Sequence, residues 1–427
     1  MKKFLKYELQ SVAGMVGISV YILADTFFIS VYAGADGLAM LNLVLPVYGV
    51  IYAIGSMIGI GSATRYGINR AKGEDTGDYF LQSFFFSILF SIPFMLTGFL
   101  APQKFLGLLG ADAKLAALGK SYLRIILTAS PLFMANYTFT AFARNDQATS
   151  VAMTALIAGS LFNIVFDYIL MFPCGLGLAG AALATAVCPA VTMSICGVHY
   201  LGRKNTVGFH WKRPCFSHLI SCCKLGISAF VGEISSAVIT IVFNMLILGL
   251  AGNTGVAAYG VVANTSLVAV ALFNGIAQGS QPLISESYSK GNHKHVTTYL
   301  KMAVTTTIGV AVLLVVCIYL YAPAITAVFN GEGNQVLASY AENGLRLYFI
   351  GFLFAGINIV GTAILSSVES AKYAFTASIS RGFVAIILFA FVLSALFGLT
   401  GVWLAFPAAE FVTMLITLYG LVKTIRK

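Results

Sequence analysis

The stretch GLAMLNLVLPVYGVIYAIGSMIGIGSATRYGINRAKG at residues 37–73 has no charged residue from Gly37 to Thr64. About 20 such residues cross the ~30 Å hydrocarbon core of a bilayer as one helix. The pattern then returns as GVAAYGVVANTSLVAVALFNGIAQGSQPLISESYSKG at 255–291, in register at a constant offset of 218. Gly37, Ala39, Gly61, Ser62, Lys72 and Gly73 match Gly255, Ala257, Gly279, Ser280, Lys290 and Gly291. An apolar run long enough to span a membrane, with a second copy half a chain away, reads as an internally repeated membrane protein.

Working outward, Asn136, Ala152, Thr154 and Ala155 match Asn358, Ala374, Thr376 and Ala377, and Gly177-Leu178-Ala179-Gly180 echoes Gly398-Leu399-Thr400-Gly401. The composition agrees with a membrane location. The 427 residues are 59% hydrophobic and 9% charged, where a soluble domain carries about 25% charged residues. Period-two strands are not visible, which argues against a membrane β-barrel. Apolar runs predict helices at 8–32, 38–62, 79–101, 115–141, 150–173, 177–201, 224–250, 256–283, 298–321, 338–367, 374–397 and 400–423. Several of these contain a proline, among them Pro46, Pro93, Pro131, Pro189, Pro282 and Pro407; membrane helices tolerate proline where neighbours satisfy the freed carbonyls. The predicted fold is an all-α membrane protein of about twelve transmembrane helices. They form two pseudo-symmetric six-helix lobes around a central cavity: residues 1–201, a linker at 202–223, and residues 224–427.

The net charge of +10 is not a nucleic-acid footprint. With twelve spans, most of the Lys and Arg residues fall on one side, among them Lys3, Lys6, Arg65, Arg70, Lys72, Arg144, Arg203, Lys204, Lys212, Arg213, Lys290, Lys294, Arg426 and Lys427. The opposite loops hold little more than Lys104 and Lys114. This bias predicts a multi-pass protein of the plasma (inner) membrane with both termini cytoplasmic. The N-terminal segment has Lys2 and Lys3 ahead of an apolar run and an Ala33-Gly34-Ala35 sequence. Its apolar run is longer than a signal core and Glu8 interrupts the basic end, so it reads as a retained span. The seven cysteines include no C-x-x-C pair and give no disulfide framework.

Ionisable residues inside a bilayer are costly and mark function. Four acids lie well inside predicted spans: Asp25, Asp167, Glu233 and Glu410. Asp25, Asp167 and the hydroxyl of Thr185 all fall roughly 9–12 Å below the outer surface. Asn163 and Asp167 are four apart and share one helix face. Two carboxylates, an amide and a hydroxyl make an all-oxygen set of the kind hard cations prefer. Two adjacent carboxylates in a low dielectric cannot both ionise cheaply, so one should hold a proton. The second half lacks this cluster, since Ala385 and Phe389 stand where the repeat would place Asn163 and Asp167. Glu233, near mid-depth in helix 7, is expected to line the cavity, and Glu410 is expected to pair with Arg381. Asn136, Tyr137, Phe162 and Asn358 are further candidates for the cavity wall.

The run Asp25-Thr26-Phe27-Phe28-Ile29-Ser30 with Gly34 and Gly37-Leu38-Ala39, FNIVFDYI at 162–169, GLGLAGAALAT at 175–185 and GSQPLISESYSKGN at 279–292 together resemble the multidrug and toxic compound extrusion (MATE) transporters, over the whole chain. The resemblance implies antiport of small cationic, lipophilic drugs or toxins against H⁺ or Na⁺, with no other cofactor, no catalytic residues, and a monomer as the expected unit. It places Asp25, Asn163, Asp167 and Thr185 at the first-lobe proton and cation site, and Glu233 at the helix 7 acid of some members. Some members carry an aspartate in helix 10, where this chain has Asn343 and Asn358. Some kink helix 1 at a proline, where only Gly14 and Gly17 are available here to let it bend.

A flippase or exporter of a lipid-linked substrate is the competing reading. It would need basic residues in the cavity, and Arg381 alone lies well inside a span. H-E-x-x-H and G-x-S-x-G patterns are absent, which leaves an intramembrane enzyme without its chemistry. Gly175-x-Gly177-x-x-Gly180 follows a membrane helix and not a strand, so it reads as a turn. His210, Cys215, His218 and Cys222 have metal-like spacing, but Lys212, Arg213 and Lys224 would repel a cation.

Overall fold

A computed structural model describes residues 2–109, 111, 113–202, 205–330 and 333–425. The basic residues Arg203, Lys204, Arg426 and Lys427 lie outside the described residues, as does the side chain of Ala39. No strand is present among the described residues. The first spans are α1 (Lys3–Gly34), α2 (Asp36–Lys72), α3 (Tyr79–Leu100), α5 (Thr149–Met171) and α6 (Gly177–Tyr200). Between α3 and α5, α4 is a bent pair, Ala113–Thr128 and Ser130–Asn145, meeting at 43°. Pro131 stands in the first turn of the second piece, where a missing N–H costs nothing and the previous helix must end. The expected break before α4 holds a short helix, Pro102–Leu108.

The helix Phe216–Ser289 has 74 residues and would be about 110 Å long if straight, several times the hydrocarbon thickness. It breaks at Gly252 (φ 61°, ψ −159°) into α7 (216–251) and α8 (253–289). After α9 (His293–Phe329) and α10 (Gln335–Ser367), the segment Ala371–Thr424 breaks at Gly398 (φ 58°, ψ −135°) into α11 (371–397) and α12 (399–424). The described residues thus form the expected twelve spans. Large apolar side chains such as Leu100, Leu313 and Leu396 are well over half exposed, as suits residues that meet lipid.

The repeat is written in the backbone. Left-handed Gly34 and Gly252 stand 218 apart, as do Gly73 and Gly291, while Gly177 and Gly398 stand 221 apart. The only non-glycine residues with positive φ among those described, Gln147 and Glu369, also stand 222 apart. Even the packing recurs: a Cβ on Gly37 would press on Ala33 and Ile29, and one on Gly255 on Ala251 and Ile247.

The chain divides into two compact units, Met1–Glu233 and Ile234–Lys427. The first is held by close helix crossings. A Cβ on Gly55 would lie 2.8 Å from Met134 Cα, and one on Gly59 2.6 Å from the Thr138 nitrogen, so α2 and α4 touch backbone to backbone. Small residues allow this approach where no hydrophobic force drives helices together. Gly14 and Gly17 do the same for α1 against Leu156 and Ser160 of α5. Both glycines lie within helical backbone, and the non-helical residue is Gly34.

Residues 205–223, most of the expected linker, are sewn onto the first unit. Asp146 accepts from Arg70 at 3.0 Å and from the Thr206 hydroxyl, and lies 2.9 Å from His199 Nε2. Lys212 Nζ lies 2.8 Å from Asp75. That ammonium and the Gly77 N–H hold the Asp75 carboxyl below the usual carboxylate range. From Phe216 onward the segment is already helix α7.

Candidate functional site

Asp25, Asn163, Asp167 and Thr185 come together inside the first unit. Three helices supply them: α1 gives Asp25, α5 gives Asn163 and Asp167 one turn apart, and α6 gives Thr185. Gly14 and Gly17 bring α1 close to α5, and Gly159 brings α5 close to Thr192 and Cys188 of α6. Asn163 and Asp167 are wholly buried, and Asp25 and Thr185 nearly so. The Asn163 amide joins its neighbours with its nitrogen 3.1 Å from Asp167 Oδ2 and its oxygen 3.1 Å from the Thr185 hydroxyl and 3.3 Å from the Thr185 N–H. The carboxyls of Asp25 and Asp167 are neighbours, and two adjacent carboxyls in a low dielectric cannot both ionise cheaply.

One oxygen of each aspartate, Asp25 Oδ1 and Asp167 Oδ1, is buried with no hydrogen-bond partner. Orphaned buried acceptors are rare and call for an explanation such as an ion or a proton. Two bare carboxylate oxygens beside an amide and a hydroxyl form a set able to take H⁺ or a small hard cation. No group of three or more His, Cys, Asp or Glu is placed to hold a metal ion among the described residues, and His210, Cys215, His218 and Cys222 form no such group. All seven cysteines are free.

The wall candidates separate. Tyr137 and Glu233 meet, the phenol donating to Glu233 Oε1 at 3.5 Å. Asn136, one residue back, is partly buried with its Oδ1 unpartnered. Phe162 stacks on Phe166 with ring centroids 4.1 Å apart, on a stripe of α5 that includes exposed Phe166. Asn358 is corrected as a cavity residue: it is fully buried and its amide is consumed in the second unit. Its nitrogen donates to the Glu410 carbonyl at 2.8 Å and to Glu410 Oε2 at 2.6 Å, and its oxygen accepts from Thr417 at 2.8 Å. Glu410 Oε1 takes two bonds from Arg381, at 3.0 and 2.8 Å. The pairing expected of Arg381 and Glu410 is therefore present, and Asn358 belongs to it. A π-helical turn, Ser380–Val384, carries Arg381; such turns re-aim a side chain within an otherwise regular helix.

Sequence reasoning missed an aromatic group in the first unit. Tyr48 and Tyr122 hydroxyls lie 3.3 Å apart. The Tyr52 ring lies 5.7 Å from Tyr48 and 6.1 Å from Tyr137, and Phe133 lies 5.8 Å from both Tyr48 and Tyr52. Tyr48 and Tyr52 at i and i+4 in α2 were the available signal.

These features define a polytopic helical membrane protein built from an internal repeat, with a buried oxygen cluster in its first half. The MatE family model matches residues 11–169 and 229–392, one stretch in each half, and the chain belongs to that family. It is 25% identical to the multidrug export protein MepA of Staphylococcus saprophyticus over 419 residues, spanning 96% of this chain and 90% of the relative. It is 27% identical to MepA of Staphylococcus aureus strain NCTC 8325 over 422 residues, with the same shares. Among solved structures, a MATE transporter in complex with MaL6 superposes with a TM-score of 0.92 at 21% identity, over 99% of this chain and 96% of the other. An outward-facing multidrug resistance MATE family transporter gives 0.91 at 21% identity, over 99% and 95%.

Proposed function

We propose that this protein is a multidrug efflux antiporter that exports lipophilic organic cations in exchange for H⁺ or Na⁺ by alternating access. The observation that carries the reading is the Asp25–Asp167 pair, two buried carboxyls each with an unpartnered oxygen. Asn163 and Thr185 complete an oxygen set that H⁺ or Na⁺ fits. Coupling follows if ion and drug favour different states, because each shifts the equilibrium only by its differential affinity. Glu233, Tyr137 and Asn136 are the proposed drug contacts, the acid for charge and the ring faces for cation–π attraction. Kinship with multidrug export proteins supports the substrate class. The basic bias of alternate loops supports an inner-membrane protein with cytoplasmic termini, working as a monomer of two six-helix lobes joined through 202–223.

A lipid-linked anionic substrate is less well served. Arg381, the basic residue set deepest in a span, is already neutralised by Glu410. The test is efflux of ethidium from proteoliposomes with pH and Na⁺ gradients imposed separately. One gradient drives export, and Asp167→Asn lowers gradient-driven export by at least about tenfold, the loss of roughly 1.4 kcal/mol of coupling. Export at the parental rate by Asp167→Asn, under either gradient, refutes the mechanism.

A further inference from the structure

One face of α3 is apolar and open. Leu89, Ile92, Leu96 and Phe99 are exposed and recur at helical spacing, while Phe86, Ser87, Ser91 and Gly98 on the opposite side are buried. A stripe of this kind on a membrane helix faces lipid. Phe85 stands four residues before Leu89 and heads the stripe. It lies about 9 Å along the axis from Tyr79, the first residue of α3.

The segment before α7 crosses this end of the stripe, and its backbone is fixed there. The His210 N–H donates to the Gly77 carbonyl at 2.7 Å, and a Cβ on Gly208 would run into Gly77. The Trp211 ring meets Phe85 edge-on at 5.9 Å, and Phe216 packs on Phe86 at 5.3 Å. Trp211 and Phe216 are nonetheless each 59% exposed, and Ile220, one turn beyond Phe216, is open as well. Tryptophan is favoured where hydrocarbon meets headgroups, and Trp211 sits where the lipid-facing stripe ends.

The two cations between these rings differ. Lys212 is engaged by Asp75 at 2.8 Å and lies 3.7 Å from Asp78. Arg213 is exposed and pairs with no carboxylate among the described residues. A guanidinium fork matches phosphate oxygens as a bidentate pair. An unpaired guanidinium framed by two open rings suits a lipid with a negative headgroup above an apolar glycerol and acyl region. A choline headgroup carries its own cation and offers Arg213 no net charge, so a neutral phospholipid gains less.

We propose that Trp211, Arg213 and Phe216 form a binding site for an anionic phospholipid, with Arg213 on the phosphate and the two rings against the chains below it. The site uses none of the residues assigned to the ion or the drug.

The experiment places the full chain in phosphatidylcholine vesicles doped with brominated phosphatidylglycerol or brominated phosphatidylcholine, whose bromines quench tryptophan at short range. The Trp211 signal is the parent minus Trp211→Phe, which keeps Trp403. Half-maximal quenching should need about fivefold less brominated phosphatidylglycerol than brominated phosphatidylcholine, the enrichment expected from one cationic side chain at the membrane surface. In Arg213→Gln, read against Arg213→Gln with Trp211→Phe, that ratio should fall below about twofold. Equal doses of the two lipids in the parent show an ordinary interfacial ring and overturn the site. An unchanged ratio in Arg213→Gln overturns it too, since the preference then has another source. A Trp211 signal that neither lipid quenches takes the ring out of the bilayer and also overturns it.

Discussion

Arg381→Met tests how the second unit holds a charge inside the membrane. Glu410 is 1% exposed and the Arg381 side chain 19%. Three side-chain bonds reach the Glu410 carboxylate: two from Arg381, at 3.0 and 2.8 Å, and one from Asn358, at 2.6 Å. The substitution removes two of the three and leaves Oε1 without a donor. Bonds to charged groups contribute about 1.5–3 kcal/mol each. Breaking a buried pair by deleting one partner costs about 3–5 kcal/mol, so the two routes agree near 4 kcal/mol. At ~2–4 °C per kcal/mol for a unit of this size, Tm of the second unit should fall by about 10 °C. Trp403 is buried in that unit and stacks on Tyr259 at 6.2 Å. The chain has only two tryptophans, so in a Trp211→Phe background its fluorescence reports this unit alone. The double variant Arg381→Met, Glu410→Met should recover most of the loss, because replacing both partners with apolar groups is nearly neutral. A single variant that melts within about 2 °C of the parent, or a double variant no better than the single, refutes the account.

Asn358→Leu should destabilise the second unit by about 2–3 kcal/mol in the same fluorescence assay, since it strips bonds from Glu410 and Thr417. Its repeat partner should behave oppositely: Asn136→Leu, whose Oδ1 has no partner, should leave stability within about 1 kcal/mol and lower ethidium export instead. Gly34→Ala and Gly252→Ala should each cost about 1–3 kcal/mol in denaturation. A Cβ meets nothing within 4 Å at either site, so backbone strain alone sets the loss, and equal costs would show that the two turns are equivalent.

The fold was legible because its signals are local. Apolar length marks a span, and Gly34, Gly252 and Gly398 turn the chain where spans would otherwise fuse. The repeat added a check that each half confirms in the other. Span ends were less legible: α9 runs from His293 to Phe329 against an expected 298–321, because polar residues can continue a helix beyond the bilayer. In the site, Asn163 and Asp167 could be paired by helical spacing, and Thr185 by depth. The junction with Asp25 depends on how closely α1 packs on α5, which spacing within one helix cannot report. Asn358 was misread because its partner Glu410 lies 52 residues away on another helix, with Arg381 turned toward it by a π-helical turn that no pattern announces. The tyrosine group escaped for the same reason. Its members come from α2 and α4, and only Tyr48 and Tyr52 share a visible period.

The two halves share a skeleton and differ in their polar contents. Gln147 and Glu369 hold the same left-handed turn, and Thr140 and Thr362 bond back to the carbonyls of Asn136 and Asn358 in the same way. From that shared asparagine the halves diverge. In the second unit the amide is saturated by Glu410 and Thr417, and the acid by Arg381, leaving a closed network in which both Glu410 carboxylate oxygens and the Asn358 oxygen accept a bond. In the first unit the asparagine oxygen is bare, and so is one oxygen on each of Asp25 and Asp167. A closed network resists change, because every movement breaks a charge-assisted bond. An open one accepts an ion at little structural cost. The two copies of one scaffold thus differ in content: a salt bridge cross-links the second, and the first holds acid oxygens without hydrogen-bond partners. On this view, swapping the polar residues of one half into the other should transfer the ion response and leave the fold in place.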